Sequence, residues 1–250
     1  MYSYFKSEAL KIKHTFVWKL AFIAPIFAIL FPLLLMPAYF EINSYNWWYA
    51  SILPGMISLG CALVAVKDKK MKNMAVLSMP IDLKKVWISK ILVCIVMIVS
   101  ASLFHLLGNI IIGNIFGIGE WGKAGILNVM LASLVLIITF LWQVPLCLFL
   151  TSKIGMFPTI LINLGAYAIL GIVLAVNKVF WIIPYAIPAR LMCPILKVLP
   201  NGLPAVPGTE TFTPELLSGS TILPGIIITV VLFVILTFVT AKWYEEQEAK

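Results

Sequence analysis

The chain has 250 residues, and although 62% of them are hydrophobic, only 11% are charged. Soluble domains carry about 25% charged residues, so this composition excludes a soluble globular protein and indicates an integral membrane protein. The net charge of +8 comes from lysines near the ends of apolar runs, where membrane orientation and anionic lipid explain it better than nucleic acid does.

The first 19 residues predict an amphipathic helix that lies in the membrane interface. Their apolar side chains recur at intervals of three and four and form one stripe: Tyr2, Phe5, Ala9, Ile12 and Phe16. Lys11 falls on the opposite face, from which it would reach toward lipid headgroups. An ordinary cytoplasmic extension is the alternative. A cleaved signal peptide is disfavoured, because the first apolar run follows several lysines and lacks a small-residue cleavage site.

Six apolar runs are long enough to cross a bilayer, which takes about 20 helical residues. They cover residues 20–40, 47–66, 91–116, 124–150, 154–176 and 222–241. Prolines predict a bent first span and a fourth span that tilts or bends near Pro145. Residues 41–46 predict a short outer turn, and residues 151–153 predict a tight inner turn.

Residues 67–90 are rich in lysine and predict a loop in water, because a lysine at the centre of a bilayer costs about 2.5–3.5 kcal/mol. Lysine excess near span ends marks the cytoplasmic side, so this loop and both termini are predicted to be cytoplasmic. Within the loop, Pro80 followed by Asp82 predicts the start of a new helix, with the acid near its positive end.

Residues 177–221 predict an outer segment of short helices and loops. The range begins with apolar and aromatic residues, and prolines interrupt it so often that no straight helix can cross the membrane there. Short helices that dip part-way into the outer leaflet, followed by an exposed loop, fit this pattern.

Two glycine-rich matches within residues 117–123 are accidental. They spell GxGxxG and GxxxxGK, the patterns of a dinucleotide-binding turn and a phosphate-binding loop. Ala124 stands where the phosphate-binding loop needs Ser or Thr, and residues 131–150 contain no acid for a nucleotide ribose.

No catalytic or metal site is predicted. His105 is the only histidine in a predicted span, and no Asp or Glu occurs in any predicted span, which disfavours intramembrane proteases and ion-coupled carriers. His105 is therefore interpreted as an interhelical hydrogen-bonding group, as are Asn128, Gln143 and Asn163. The four cysteines lack metal-ligand spacing and are predicted to be buried thiols.

Three features resemble the permease subunits of ABC-2 type exporters. They are the N-terminal helix, the proline-broken outer segment, and the sequence VLSMPIDLKK at 76–85 followed by SKIL at 89–92. The family loop usually opens with a glutamate and a Gly-Thr pair, whereas Lys67-Asp68 and Lys72-Asn73 stand there in this chain. Within the superfamily, WIIP at 181–184, PARL at 188–191 and LPNG at 199–202 resemble lantibiotic-immunity permeases of the MutE/EpiE group.

The resemblance implies a single all-α transmembrane domain with six helices, an interfacial N-terminal helix and a re-entrant outer segment between helices 5 and 6. Residues 67–90 would form a coupling loop that contacts a separate ATPase. The residues expected to make this contact are Met74, Leu77, Met79, Pro80, Asp82, Lys84 and Lys85. The residues expected to face a substrate are Trp181, Tyr185, Arg190 and Asn201.

The function that the resemblance implies is removal of a cationic lantibiotic-type peptide from the bacterial cytoplasmic membrane, giving immunity or resistance. The chain would carry no catalytic residue, cofactor or metal, because ATP and magnesium would bind to the partner ATPase. The other expected partners are a second permease subunit or a second copy of the chain, and lipid, but not nucleic acid. The alternatives are an exporter of another amphiphilic drug or lipid and, from another class, a non-transporting membrane scaffold or sensor.

Overall fold

The computed structural model describes residues 1–69, 81–115 and 124–247, and within these ranges the chain is helical apart from turns and one isolated bridge, Val198–Pro204. Six helical segments of this described part are long and apolar enough to cross a bilayer: Phe16–Leu35, Pro37–Asp68, Leu83–Ile115, Ile126–Ile154, Met156–Val176 and Gly219–Glu245. The predicted all-α architecture is confirmed, and the six segments indicate a multi-pass membrane protein.

The N-terminal helix α1 (Tyr2–Ile12) packs against the helix of the third span. Its buried residues are Glu8 and Ile12, whereas Tyr2 is 77% exposed. The predicted stripe therefore packs on the bundle only in part: Phe5, Ala9 and Ile12 contact the core, whereas Tyr2 is exposed. An acid lies on the buried face because it has basic partners there, as described below. The position of α1 in the membrane interface stays a prediction.

The first two spans are divided differently from the prediction. Helix α2 (Phe16–Leu35) ends before Pro37, and Met36 leaves the helical region with φ −154°, because a residue before proline avoids the helical conformation. Residues 41–46 do not form a turn but lie in helix α3 (Phe40–Trp47). A π-helical stretch (Trp48–Ile52) joins α3 to α4 (Leu53–Lys69). It ends two residues before Pro54, which has no N–H for the regular helical bond to residue 50.

The fourth span has the predicted break, whereas the turn predicted after it lies within a helix. Helix α5 (Leu83–Ile115) is continuous, whereas the fourth span consists of α6 (Ile126–Phe140) and α7 (Gln143–Ile154). The break just before Pro145 confirms the predicted position of the bend, because this proline has no N–H for the carbonyl of residue 141. Residues 151–153 form the last turn of α7 rather than a loop. The helix ends at Gly155, whose φ of +96° favours glycine.

The fifth span begins with α8 (Met156–Ala166) and continues through a π-helical stretch (Tyr167–Ile172) and a short 3-10 turn (Leu174–Val176). Helix α9 (Ala186–Leu196) follows in the outer segment. Its 11 residues span about 16.5 Å, against about 30 Å of hydrocarbon, so α9 is too short to cross. The prediction that residues 177–221 contain no straight spanning helix is confirmed. Helix α10 (Ile222–Glu245) forms the last span.

Candidate functional site at the charged end of the bundle

Four charged side chains from three helices meet at one end of the bundle. Lys11 of α1 donates to Glu8 of the same helix, with Nζ 2.6 Å from Oε1, and to Asp68 near the end of α4, with Nζ 3.1 Å from Oδ1. Lys90 of α5 donates to Glu8, with Nζ 3.2 Å from Oε2, and also pairs with Asp68. We call these four residues the ion-pair cluster. Their charges balance, and each group has two partners of opposite sign.

The ion-pair cluster is largely shielded from solvent. The side chain of Lys90 is 3% exposed, that of Glu8 6% and that of Asp68 10%. Burial of a single unpaired charge costs several kcal/mol, and removal of one member of a buried pair costs about 3–5 kcal/mol. The cluster therefore holds α1, α4 and α5 together, because separating any of these helices would leave a buried charge unpaired.

The cluster corrects the prediction that all of residues 67–90 lie in water. Asp68 belongs to the last turn of α4, and Lys90 is buried within α5. A lysine can be buried here because two carboxylates, one of them from α1, surround its ammonium. The lysine-rich interval therefore begins and ends at the same cluster. The N-terminal helix contacts one end through Lys11 and Asp68 and the other end through Glu8 and Lys90.

The start of α5 carries three of the residues expected to contact an ATPase. Asp82 caps the helix, since it accepts a hydrogen bond from the Lys85 backbone N–H at 3.0 Å, and it pairs with the Lys85 ammonium at 2.8 Å. These contacts lower the pKa of Asp82, mainly through the side-chain hydrogen bond from Lys85. The Lys84 ammonium lies 5.6 Å from the ring centre of Phe238. The predicted helix start is confirmed. Outside the described residues lie Met74, Leu77, Met79 and Pro80.

Two of the residues expected to face a substrate are half-buried in the outer segment. Trp181 packs against Phe180, with ring centres 3.9 Å apart. Tyr185 donates from its hydroxyl to Asn163 Oδ1 at 3.0 Å, and Asn163 donates in turn to Gln143 Oε1 at 3.0 Å. Burial raises the pKa of Tyr185, which keeps its hydroxyl a neutral donor. The interhelical role predicted for Gln143 and Asn163 is confirmed.

Arg190 has surroundings unlike those of a residue that faces a substrate. It is 7% exposed, and its guanidinium donates to the backbone carbonyls of Ala175 at 3.4 Å and Glu215 at 3.1 Å. The guanidinium carbon also lies 4.9 Å from the ring centre of Phe180. In this structure Arg190 therefore fastens the end of the fifth span to the loop before the sixth.

Asn201 is exposed and lines a cavity of about 450 Å³ together with α3. Asn43, Asn46 and Trp47 of α3 form part of the opposite wall. Sequence reasoning missed these three residues as site candidates, because it placed α3 in a turn and could not bring it next to residues 201–204. Amide and aromatic side chains therefore line the cavity beside Asn201.

A second set of buried polar side chains surrounds His105. Its Nε2 lies 3.0 Å from Ser44 Oγ and 3.0 Å from Asn109 Nδ2, and its ring stacks on Trp48 with centres 4.8 Å apart. The interpretation of His105 as an interhelical hydrogen-bonding group is confirmed. Glu41 accepts from the backbone N–H of residue 124 at 2.9 Å. Glu41 lies in the helical segment Pro37–Asp68, between the spans predicted at residues 20–40 and 47–66.

Sequence reasoning also overlooked Glu8, although its spacing of three from Lys11 is a recognisable helical pair. All four cysteines are buried and free, as predicted. Within residues 1–69, 81–115 and 124–247, no three His, Cys, Asp or Glu side chains come together as metal ligands. Comparison with known protein families, curated proteins and solved structures gave no match to the chain.

Proposed function

We propose that this chain is the membrane-spanning subunit of an ABC-2 type exporter that removes a cationic, lantibiotic-type peptide from the bacterial cytoplasmic membrane. The ion-pair cluster is the observation that carries this proposal. It joins both ends of the lysine-rich interval to α1, so that a force applied to the interval would act on three helices together.

The force would come from a separate ATPase that binds under residues 67–90. Displacement of α4 or α5 would carry the other helices of the cluster along, since separating the charges in a poorly hydrated site is costly. Asp82 supports this role, because its cap makes the first turn of α5 a defined surface for contact. The termini would be cytoplasmic, in agreement with the lysine distribution.

Peptide contact would occur at the opposite end of the helices. Trp181 and Tyr185 are aromatic residues suited to the depth of the headgroups, where an amphipathic cationic peptide resides. The cavity beside Asn201 adds amide groups that can hydrogen-bond a peptide backbone. Arg190 would act by holding this outer segment in place.

The test is co-purification of an ATPase with the chain from native membranes. Lys84→Glu combined with Lys85→Glu should abolish ATPase association and protection against the peptide, without lowering the amount of chain in the membrane. The matched control is Lys178→Glu with Lys197→Glu, two charge reversals at exposed positions of the predicted outer side, which should leave association intact. Co-purification of the ATPase with the first double variant would contradict the assigned contact surface.

Export of another amphiphilic drug or lipid is the second candidate, favoured by an apolar groove of about 380 Å³ between the first two spans. Phe27, Phe31 and Trp47 line it, which suits an acyl chain or a hydrophobic ring system. Protection assays with a cationic peptide and with an uncharged amphiphile separate the two candidates. A scaffold or sensor would protect against neither compound and would have no ATPase partner.

A further inference from the structure

A cavity of about 240 Å³ lies beside the ion-pair cluster, at the same end of the bundle. Helices α5, α7 and α10 supply most of its wall, including Lys90, Ser152, Lys153, Tyr244 and the adjoining Gln247. We call it the basic cavity. Two lysines line it, and its wall contains no Asp or Glu within the described part of the chain.

Lys153 is the group that makes the cavity attractive to an anion. It pairs with no carboxylate among the described residues, and its ammonium instead lies 4.8 Å from the ring centre of Trp243 and 6.0 Å from that of Phe149. The face of an aromatic ring attracts a cation but does not accept its hydrogen bonds as a carboxylate would. The N–H donors of Lys153 therefore remain available to a ligand. The charge of Lys90 is already shared with Glu8 and Asp68, and Lys153 therefore provides the uncompensated positive charge.

Tyr244 supplies an independent indication of a ligand. It is 3% exposed, and its hydroxyl has no hydrogen-bond partner among the residues that the structure describes. A buried hydroxyl without a partner is uncommon in a folded protein and calls for an explanation. An acceptor oxygen on a ligand would satisfy it. Gln247 donates one N–H to the Trp243 carbonyl at 3.2 Å, and its amide carries a second N–H.

Helix ends near the cavity do not prevent anion binding. The last turns of α7 and α10 present carbonyl groups, which repel anions. Two carbonyls near these ends have side-chain donors, since Ser152 Oγ donates to the Leu148 carbonyl at 2.9 Å and Gln247 Nε2 donates to the Trp243 carbonyl at 3.2 Å. The Lys153 ammonium, the Tyr244 hydroxyl and the second Gln247 amide N–H are the donors that the cavity wall offers to a ligand.

We propose that the basic cavity binds a phosphate group, carried either by a lipid headgroup of the adjacent leaflet or by free phosphate. Phosphate oxygens accept several hydrogen bonds from lysine, hydroxyl and amide donors at once. Trp87, Trp243 and Tyr244 surround the cavity with the aromatic residues that are enriched at headgroup depth. The proposal requires only that the bundle spans a membrane and does not rest on the transport function.

The test measures lipid retention by native mass spectrometry of the full-length chain, with phosphatidylglycerol or phosphatidylcholine as probe. Wild type should retain phosphatidylglycerol preferentially. Lys153→Gln should weaken this binding roughly tenfold, because a charge-assisted hydrogen bond is lost. Tyr244→Phe should weaken it roughly threefold, as expected for a neutral hydrogen bond. Lys153→Arg, which keeps the charge, and Lys178→Gln at an exposed site should both bind like wild type.

Inorganic phosphate distinguishes the two sources of the ligand. Retention of phosphatidylglycerol in excess phosphate assigns the site to a lipid headgroup. Displacement of the lipid, with thermal stabilisation by phosphate that Lys153→Gln abolishes, assigns it to free phosphate. Tyr244→Phe is the control for misfolding, because it removes a hydroxyl that has no hydrogen-bond partner in the described chain. Wild-type retention of phosphatidylglycerol, together with wild-type stabilisation by inorganic phosphate, in both Lys153→Gln and Tyr244→Phe would overturn the proposal.

Discussion

Lys90 and Glu8 are 82 positions apart in the sequence, yet Lys90 Nζ lies 3.2 Å from Glu8 Oε2 in a site that solvent hardly reaches. This contact fastens the N-terminal helix to the third span, and Asp68 extends the connection to the second. The N-terminal helix is thus attached to the bundle by buried charge as well as by apolar packing.

Removal of the Lys90 charge should destabilise the protein strongly. Lys90→Met leaves Glu8 and Asp68 with Lys11 as their remaining cluster partner, and the expected loss is about 3–5 kcal/mol of unfolding free energy. Detergent-titrated unfolding of the purified protein measures it. The control is Lys178→Met, whose wild-type ammonium lies 3.7 Å from Glu215 in an exposed pair, and which should change stability by about 0.5 kcal/mol or less. Similar losses of unfolding free energy in the two variants would contradict the stabilising role of the ion-pair cluster.

The cap at the start of α5 should make stability depend on pH. The lowered pKa of Asp82, caused mainly by its hydrogen bond with Lys85, means that its charge stabilises the folded state. This contribution is fully present above the unfolded pKa of about 3.9 and is lost as the pH falls through the lower folded value. The stability advantage of wild type over Asp82→Ala, measured by thermal unfolding, should therefore shrink below about pH 4. Asp82→Asn retains a capping oxygen and serves as the control. An advantage that persists unchanged to pH 2 would contradict the expectation.

Gly171 allows the fifth span to approach the outer segment closely. A Cβ at this position would lie 2.9 Å from the Tyr185 carbonyl oxygen, and a backbone atom cannot rotate away as a side chain can. Gly171→Ala is expected to cost about 1–3 kcal/mol. Gly165→Ala is the matched control, because a Cβ there meets nothing within 4 Å and alanine favours helix by up to about 1 kcal/mol. Equal unfolding midpoints for both variants would argue against the close approach.

The hydrogen bonds of Asn163 make it possible to distinguish a structural role of Tyr185 from a role in peptide contact. Tyr185→Phe removes one bond and should cost about 0.6 kcal/mol, the average for such bonds in membranes. Asn163→Ala removes three, those with Tyr185, Gln143 and the Pro54 carbonyl, and should cost more. Unfolding and peptide protection are measured for both variants. If Tyr185 contacts the peptide, Tyr185→Phe will lose more protection than its stability predicts. Protection that follows stability alone in both variants would leave Tyr185 with a structural role only.

Labelling of lysines on intact cells tests the predicted sidedness. A membrane-impermeant amine reagent should modify Lys178, whose side chain is 88% exposed, and Lys197, but not Lys84 or Lys85. Permeabilised cells provide the control, in which the exposed Lys85 should also react. Modification of Lys84 or Lys85 by the reagent outside intact cells would contradict the predicted topology.

Apolar composition and run length were enough to predict the six spans, because a bilayer demands long apolar helices whatever their packing. Local chemistry also predicted the break before Pro145 and the helix start at Asp82, since both depend on residues within one helical turn. The turns predicted at residues 41–46 and 151–153 were misplaced. A polar stretch remains helical when neighbouring helices satisfy it, as Ser44 shows by its contact with His105.

By itself, the sequence determined the membrane class, the approximate spans and the excess of lysine at one end, because hydropathy and charge are properties of short stretches. Only the tertiary structure decided which charges pair. Glu8, Asp68 and Lys90 come from distant parts of the chain, and the burial of a lysine depends on carboxylates that only folding brings to it. The same holds for the basic cavity, where Lys153 and Tyr244 become neighbours because two helices end side by side.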